Sequence, residues 1–242
     1  QGWDVSDILD SYHQYKIILE NFEPTFWISG RFPKGLNLND NENKSIKARP
    51  ELKLDEIIDL ASDKKIAIRQ LTHKKDEQGW FLDVTSDVKI QSEARYTNDY
   101  TFFLIAKKGK KGADDYDRIF TCSHANRIFG YHKDYEDMLF INTALHGWGS
   151  SNLKPITKDL RMYILRSEYC EAEPQGCKIT FWNKDKILVS DKTINHGWGG
   201  HVVIGKSDYF KHNSGAFNIY EVLCFDYPLS DKSIQHIRTK IL

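Results

Sequence analysis

The tetrapeptide His-Gly-Trp-Gly occurs twice, as His146-Gly-Trp-Gly149 and His196-Gly-Trp-Gly199. Each copy follows a strand-like apolar run, and its glycines allow unusual backbone angles and close approach. A tryptophan held between glycines in a loop offers a flat apolar face to a sugar ring, with the histidine beside it as a hydrogen-bond partner. The same ring can instead tuck back and cap a core, and at this point both readings stand. On the binding reading Trp148 and Trp198 share one rim, where His146, His196 and Asn195 supply the polar contacts.

Other chemistry finds less support. Hydrolysis of a glycosidic bond needs two carboxyl groups facing one cleft. The acidic clusters are Asp134-Tyr-Glu-Asp137 and Glu168…Glu171-Ala-Glu173, both read as exposed loop segments, with Glu221 alone inside a strand. His132, Asp134 and Glu136 would share one face of an extended segment, a donor set suited to zinc or a related ion. No second ligand set accompanies them, so a solvated turn is the better reading. There is no Gly-rich phosphate loop, Ser/His/Asp arrangement or zinc-finger spacing. No cofactor is expected, although calcium, which draws oxygens from scattered loops, stays open.

These residues must be positioned by something, and the apolar pattern says what. Short runs recur at close spacing: Tyr100–Ala106, Arg118–Cys122, Arg127–Tyr131, Asp137–Asn142, Leu160–Arg166, Lys178–Asn183, Ile187–Ser190, His201–Gly205 and Gly215–Asp226. Earlier in the chain, Lys65–Gln70 and Trp80–Val84 form a strand pair. With no βαβ alternation, this cadence predicts a sandwich of two antiparallel sheets. Asn183-Lys-Asp185 reads as a hairpin turn. Helices are expected only near Ser6–Leu19, where Ser6 can cap, and Ser230–Arg238, capped by Ser230. Lys107–Asp115 reads as a solvated hairpin tip, and Leu36–Lys44 as a polar loop.

The order of pieces in the last third resembles the end of a concanavalin A-like lectin/glucanase domain of the laminin-G-like kind. Trp182-Asn183 stands at that family's hairpin, followed by Ile204-Gly205, Ile219-Tyr-Glu-Val222 and Leu229-Ser-Asp231. Thr25–Gly30 is similar to its opening strand, and Leu54–Asp63 to its "Val-x-x-Trp-x-Asp-x-Ser-Gly" segment, with Asp59 and Ser62 in place and Asp63 where the glycine would be. The resemblance covers about residues 22–242 as one domain, after a helical leader at 1–21, and implies a jelly roll. Its glycosidases carry Glu-x-Asp-x-Glu or Glu-x-Asp-x-x-Glu on one strand, a pattern absent here. The resemblance therefore implies a non-catalytic recognition module for a glycan or a surface protein, part of a larger assembly at an extracellular or virion surface. A glycan-cleaving hydrolase and a purely structural capsid or fibre jelly roll are the alternatives.

Composition sets outer bounds. With 34 basic and 34 acidic residues among 242, no global charge draws the chain to nucleic acid, and no apolar run is long enough for membrane insertion. The chain starts at Gln1, as expected of a processed product or an excised piece. Cys170 and Cys177 flank a turn-rich loop that suits either a disulfide or two free thiols, while Cys122 and Cys224 sit in strand patterns as core residues.

Overall fold

The computed structural model describes residues 5–33, 35–36, 51–84, 88–109, 118–141, 143–147, 153–171, 176–206 and 216–241. Trp148, Gly149, the tip of the Lys107–Asp115 loop and most of the Leu36–Lys44 loop lie outside them.

Two antiparallel sheets form a sandwich. The nine-stranded sheet runs β14 (Lys186–Ile194), β13 (Gly176–Asn183), β12 (Arg161–Cys170), β6 (Tyr100–Lys108), β16 (Phe217–Phe225), β4 (Gly79–Val84), β3 (Lys64–Asp76) and β2 (Glu51–Asp59). β1 (Phe26–Ser29) shares with β4 one edge of β16. The seven-stranded sheet runs β10 (Thr143–His146), β9 (Tyr135–Ile141), β8 (Arg127–His132), β7 (Phe120–Cys122), β15 (Gly200–Gly205) and β5 (Lys89–Tyr96), with β11 (Lys154–Pro155) beside β9. Alternation along the strands sorts side chains between two cores. Phe102, Leu104, Tyr163, Leu165, Phe120 and Phe129 fill the space between the sheets. Phe103, Ile105, Met162, Ile164 and Leu223 point from the other face of the nine-stranded sheet, where α1 (Val5–Phe22) and α2 (Asp231–Ile241) cover them.

Helix α1 begins one residue before Ser6, so Ser6 lies within the helix rather than capping it. Ser230 does cap α2, its Oγ accepting the Ser233 N–H at 3.1 Å. Cys170 and Cys177 are free thiols. Cys170 is paired in register with Gly176 and Cys177 with Tyr169, so the two cysteines occupy adjacent register positions and face opposite sides of the sheet. A bridge there would need the strands to turn over.

Candidate functional site

At one end of the sandwich, the β8–β9 pairing slips by a residue. Gly130 pairs with Met138 and Tyr131 with Glu136, leaving Asp137 as the extra residue of a β-bulge. Asp137 takes a left-handed φ of 62°, which aspartate tolerates better than most residues. The slip turns Glu136 inward and re-aims Asp137, so two buried acids sit side by side.

Their partners come from both sheets. Arg161 on β12 grips Glu136 through two parallel bonds, Nε to Oε2 at 3.1 Å and Nη2 to Oε1 at 2.6 Å. Lys154 lies 2.7 Å from Glu136 Oε1, and the Thr157 N–H and hydroxyl each donate to Oε2 at 3.2 Å. Burial alone would raise the Glu136 pKa, but these donors and the Arg161 charge hold it below the ordinary carboxylate value. Asp137 accepts from Asn183 Nδ2 at 2.6 Å and from Lys154 Nζ at 3.3 Å, while its N–H donates to the Tyr163 hydroxyl at 3.0 Å. His146 joins through the Asp137 carbonyl, 2.6 Å from Nδ1. A carbonyl only accepts, so Nδ1 carries the proton and Nε2 is left as an acceptor in the neutral ring. His146 and Asn183 are half-buried and the Lys154 side chain is 44% exposed, so the cluster opens to solvent along one side.

His146 is thus brought into a polar constellation, and Trp148, two residues on, lies outside the described residues. The second tetrapeptide is elsewhere. The Trp198 ring is 0% exposed and packs edge-on against Phe102 and Phe120 between the sheets, which corrects its expected place on a ligand-facing rim. The cause is its glycines. Gly197 approaches Thr97 so closely that a Cβ would stand 1.9 Å from the Thr97 carbonyl oxygen, and the Trp198 N–H donates to that oxygen at 2.7 Å. The loop is pinned down by backbone contact, and the indole has only the core to enter. Arg127, at the start of β8, donates to the Trp198 and Gly197 carbonyls, whereas His146 binds at Asp137, opposite the far end of β8. Asn195 and His196 are exposed at the Arg127 end, so they do not join His146.

Two other sequence candidates resolve. His132, Asp134 and Glu136 do not share a face, because Lys133 and Asp134 form a turn; His132 accepts from Arg118 Nε at 3.2 Å and Glu136 is taken by Arg161. Among the described residues, no group of three or more His, Cys, Asp and Glu side chains is placed to hold a metal ion. Glu136 and Asp137, read from sequence as loop acids, are buried on β9. Their signal was the break in alternation across Tyr135-Glu-Asp-Met, which a bulge produces.

Glu221 is 2% exposed on β16, beneath α1. It accepts bonds from Trp27 Nε1 at 2.9 Å, Ser29 Oγ at 2.8 Å and the Tyr15 hydroxyl. Burial pushes its pKa up to about 7, against the opposing pull of Arg31 and the three donors. That value would suit a general acid, but the fully buried Tyr15 seals the carboxyl from any substrate.

No protein-family model matches the chain, and no curated protein matches its sequence. Solved structures do. Domain 4 of AbnA, a GH43 extracellular arabinanase from Geobacillus stearothermophilus, determined in complex with arabinotriose, matches with a TM-score of 0.52 at 12% identity, over 89% of this chain and 98% of that one. A mutant of Trypanosoma rangeli sialidase displaying trans-sialidase activity matches with a TM-score of 0.48 at 9% identity, over 79% of this chain. The match spans only 33% of the sialidase chain. The binding domain of Paraclostridial Mosquitocidal Protein 1 follows with a TM-score of 0.43 at 11% identity, over 78% of this chain and 50% of that one. At such identities the likeness is one of fold.

Proposed function

We propose that this chain is a non-catalytic, lectin-like recognition module of the concanavalin A-like kind, which binds a glycan at the rim formed by His146, Asn183 and Lys154. The observation that carries the reading is the Asp137 bulge. Its left-handed residue holds an acceptor-donor array half open to solvent, whose His146 stands two residues before Trp148 in the sequence, and such backbone strain gathers at binding sites. An aromatic face beside a few fixed polar groups is what a sugar needs. The shared fold of a domain solved with arabinotriose supports a glycan as the ligand. Hydrolysis is disfavoured by chemistry: Glu136 is neutralised by Arg161 and Lys154, and Glu221 is sealed under α1. An extracellular or virion surface, as part of a larger assembly, is the setting in which such a module meets its ligand.

The test is a glycan array that includes arabino-oligosaccharides, followed by calorimetric titration of each hit and an assay for released reducing ends. Trp148→Ala and Asn183→Ala are expected to weaken binding several-fold, since a sugar-stacking ring contributes on the order of 1 kcal/mol beyond burial. No reducing ends should appear. Binding unchanged in both variants, or turnover of any hit, overturns the reading.

A further inference from the structure

We propose that α1 is a proton-dependent strap, which docks more tightly on the nine-stranded sheet when the Glu221 carboxyl is protonated and loosens when that carboxyl ionises. The geometry begins with a second bulge. β16 slips against β6 between Ile219 and Glu221, so that Ile219 faces the inter-sheet core while Tyr220 and Glu221 turn to the helix-covered side. A carboxyl is thereby placed on the face where its neighbours along the strand, Leu223 and Phe225, belong to the helix-covered apolar core.

Tyr15 is the only α1 residue whose side chain bonds Glu221 among the described residues, and it also packs against Trp27, tilted, and Phe32, edge-on, at centroid distances of 4.6 and 5.1 Å. Its neighbour Ile18 is fully buried as well. Among the described residues, the groups that act on the carboxyl are Tyr15 from α1, Trp27 and Ser29 from β1, and the Arg31 cation just beyond β1. Trp27 and Ser29 lie on β1, which is held by its backbone pairing with β16 rather than by α1. Release of α1 therefore admits water to Glu221 and removes the Tyr15 hydroxyl; burial is the larger influence on the carboxyl, and loss of the Tyr15 bond opposes it only in part.

The direction follows. Docked, the carboxyl titrates near 7; hydrated, it returns towards 4.5. The docked state thus prefers the protonated form, its advantage is complete below about 4.5, and it is lost as pH rises through 7. The opening equilibrium of α1 should then increase on the order of a hundredfold between pH 5 and pH 8.

Hydrogen exchange on the full chain, corrected for the intrinsic pH dependence of amide exchange, reads this directly. Protection of α1 amides is expected to fall from pH 5 to pH 8 by about that factor, while β6 amides change far less. The dependence should vanish in Glu221→Gln. Equal changes in α1 and β6, or an undiminished dependence in Glu221→Gln, overturns the proposal. Should that variant fail to fold, carbon-detected NMR titration of the Glu221 carboxyl in the unaltered chain decides instead: a midpoint near 7 supports the strap, and one near 4.5 overturns it.

Discussion

Replacing Trp198 by alanine removes a ring whose centroid lies 5.1 Å from that of Phe102 and 5.6 Å from that of Phe120, and leaves a cavity between the sheets. A loss of about 3–5 kcal/mol is expected, the range for large aromatic residues deleted from cores. Urea unfolding measures it, and a loss below about 1 kcal/mol would mean that the ring is not packed as described. Glycan binding, by contrast, should be retained in whatever fraction stays folded, because His146 and Trp198 sit at different ends of β8. The two copies of one tetrapeptide thus part company, and sequence had no means to separate them. Residue type said that the loops approach something closely; it did not say that Gly197 approaches the Thr97 backbone rather than a ligand. Of the candidate site, His146 was legible, whereas Asp137, Asn183, Lys154 and Arg161 were not. Those four come from four strands and meet only through the register slip.

At the scale of elements, legibility follows the strength of the local signal. Strands with apolar runs were found nearly in place, β6 and β16 among them. β5 was missed because its inward positions include Ser92 and Ala94, and the Ser92 hydroxyl accepts the Val202 N–H at 3.0 Å where a larger apolar group would stand. The outer half of β3 was missed because Lys74 and Asp76 are joined across the sheet to Asp83 and Lys107, so that half of the strand reads as a charged loop. A few of the residues read for the resemblance sit where backbone geometry makes demands. Asp63 stands where the family has glycine and adopts φ 54° there, while Asp59 accepts from the Trp27 and Ala61 N–H groups and the Ser62 hydroxyl to fix the same turn. Ser230 belongs to that class too. Its cap on α2 is reinforced by Arg166, which donates to the Leu229 carbonyl and pairs with Asp231. Ser230→Ala should cost about 1 kcal/mol of stability by urea unfolding. A change of no more than a few tenths would show that Arg166 holds the helix start without the hydroxyl.

Across the whole molecule, stability against pH sums opposing titrations. Burial, with the Arg118 and Lys133 charges, drives the His132 pKa down to about 3, so the fold prefers its neutral ring. That preference is complete above about 6.5 and is lost progressively as pH falls towards 3. His73, lowered by burial against the pull of the Gly30 carbonyl, acts in the same direction. Glu221 acts in the other, gaining stability as pH falls from 7 to 4.5. Each fully engaged group contributes a slope of at most about 1.4 kcal/mol per pH unit. Between pH 5 and 6.5 Glu221 therefore offsets about one histidine's slope, and the other histidine leaves a net decline. Below about 4.5, protonation of Glu136 and Asp76, both depressed by cationic partners despite their burial, adds a further loss, which Asp59, raised by its own burial, opposes only in part. The unaltered chain should show a shallow decline in Tm from pH 6.5 to 5, then a steep one. Glu221→Gln should steepen the upper segment by removing the opposing slope. His132→Gln, whose amide oxygen can still accept from Arg118 Nε, should flatten or reverse it. Thermal melts of the three proteins at half-unit pH intervals settle the matter. Parallel curves would show that neither group changes its protonation on unfolding in this range, and the buried carboxyl under α1 would lose its claim to be a switch.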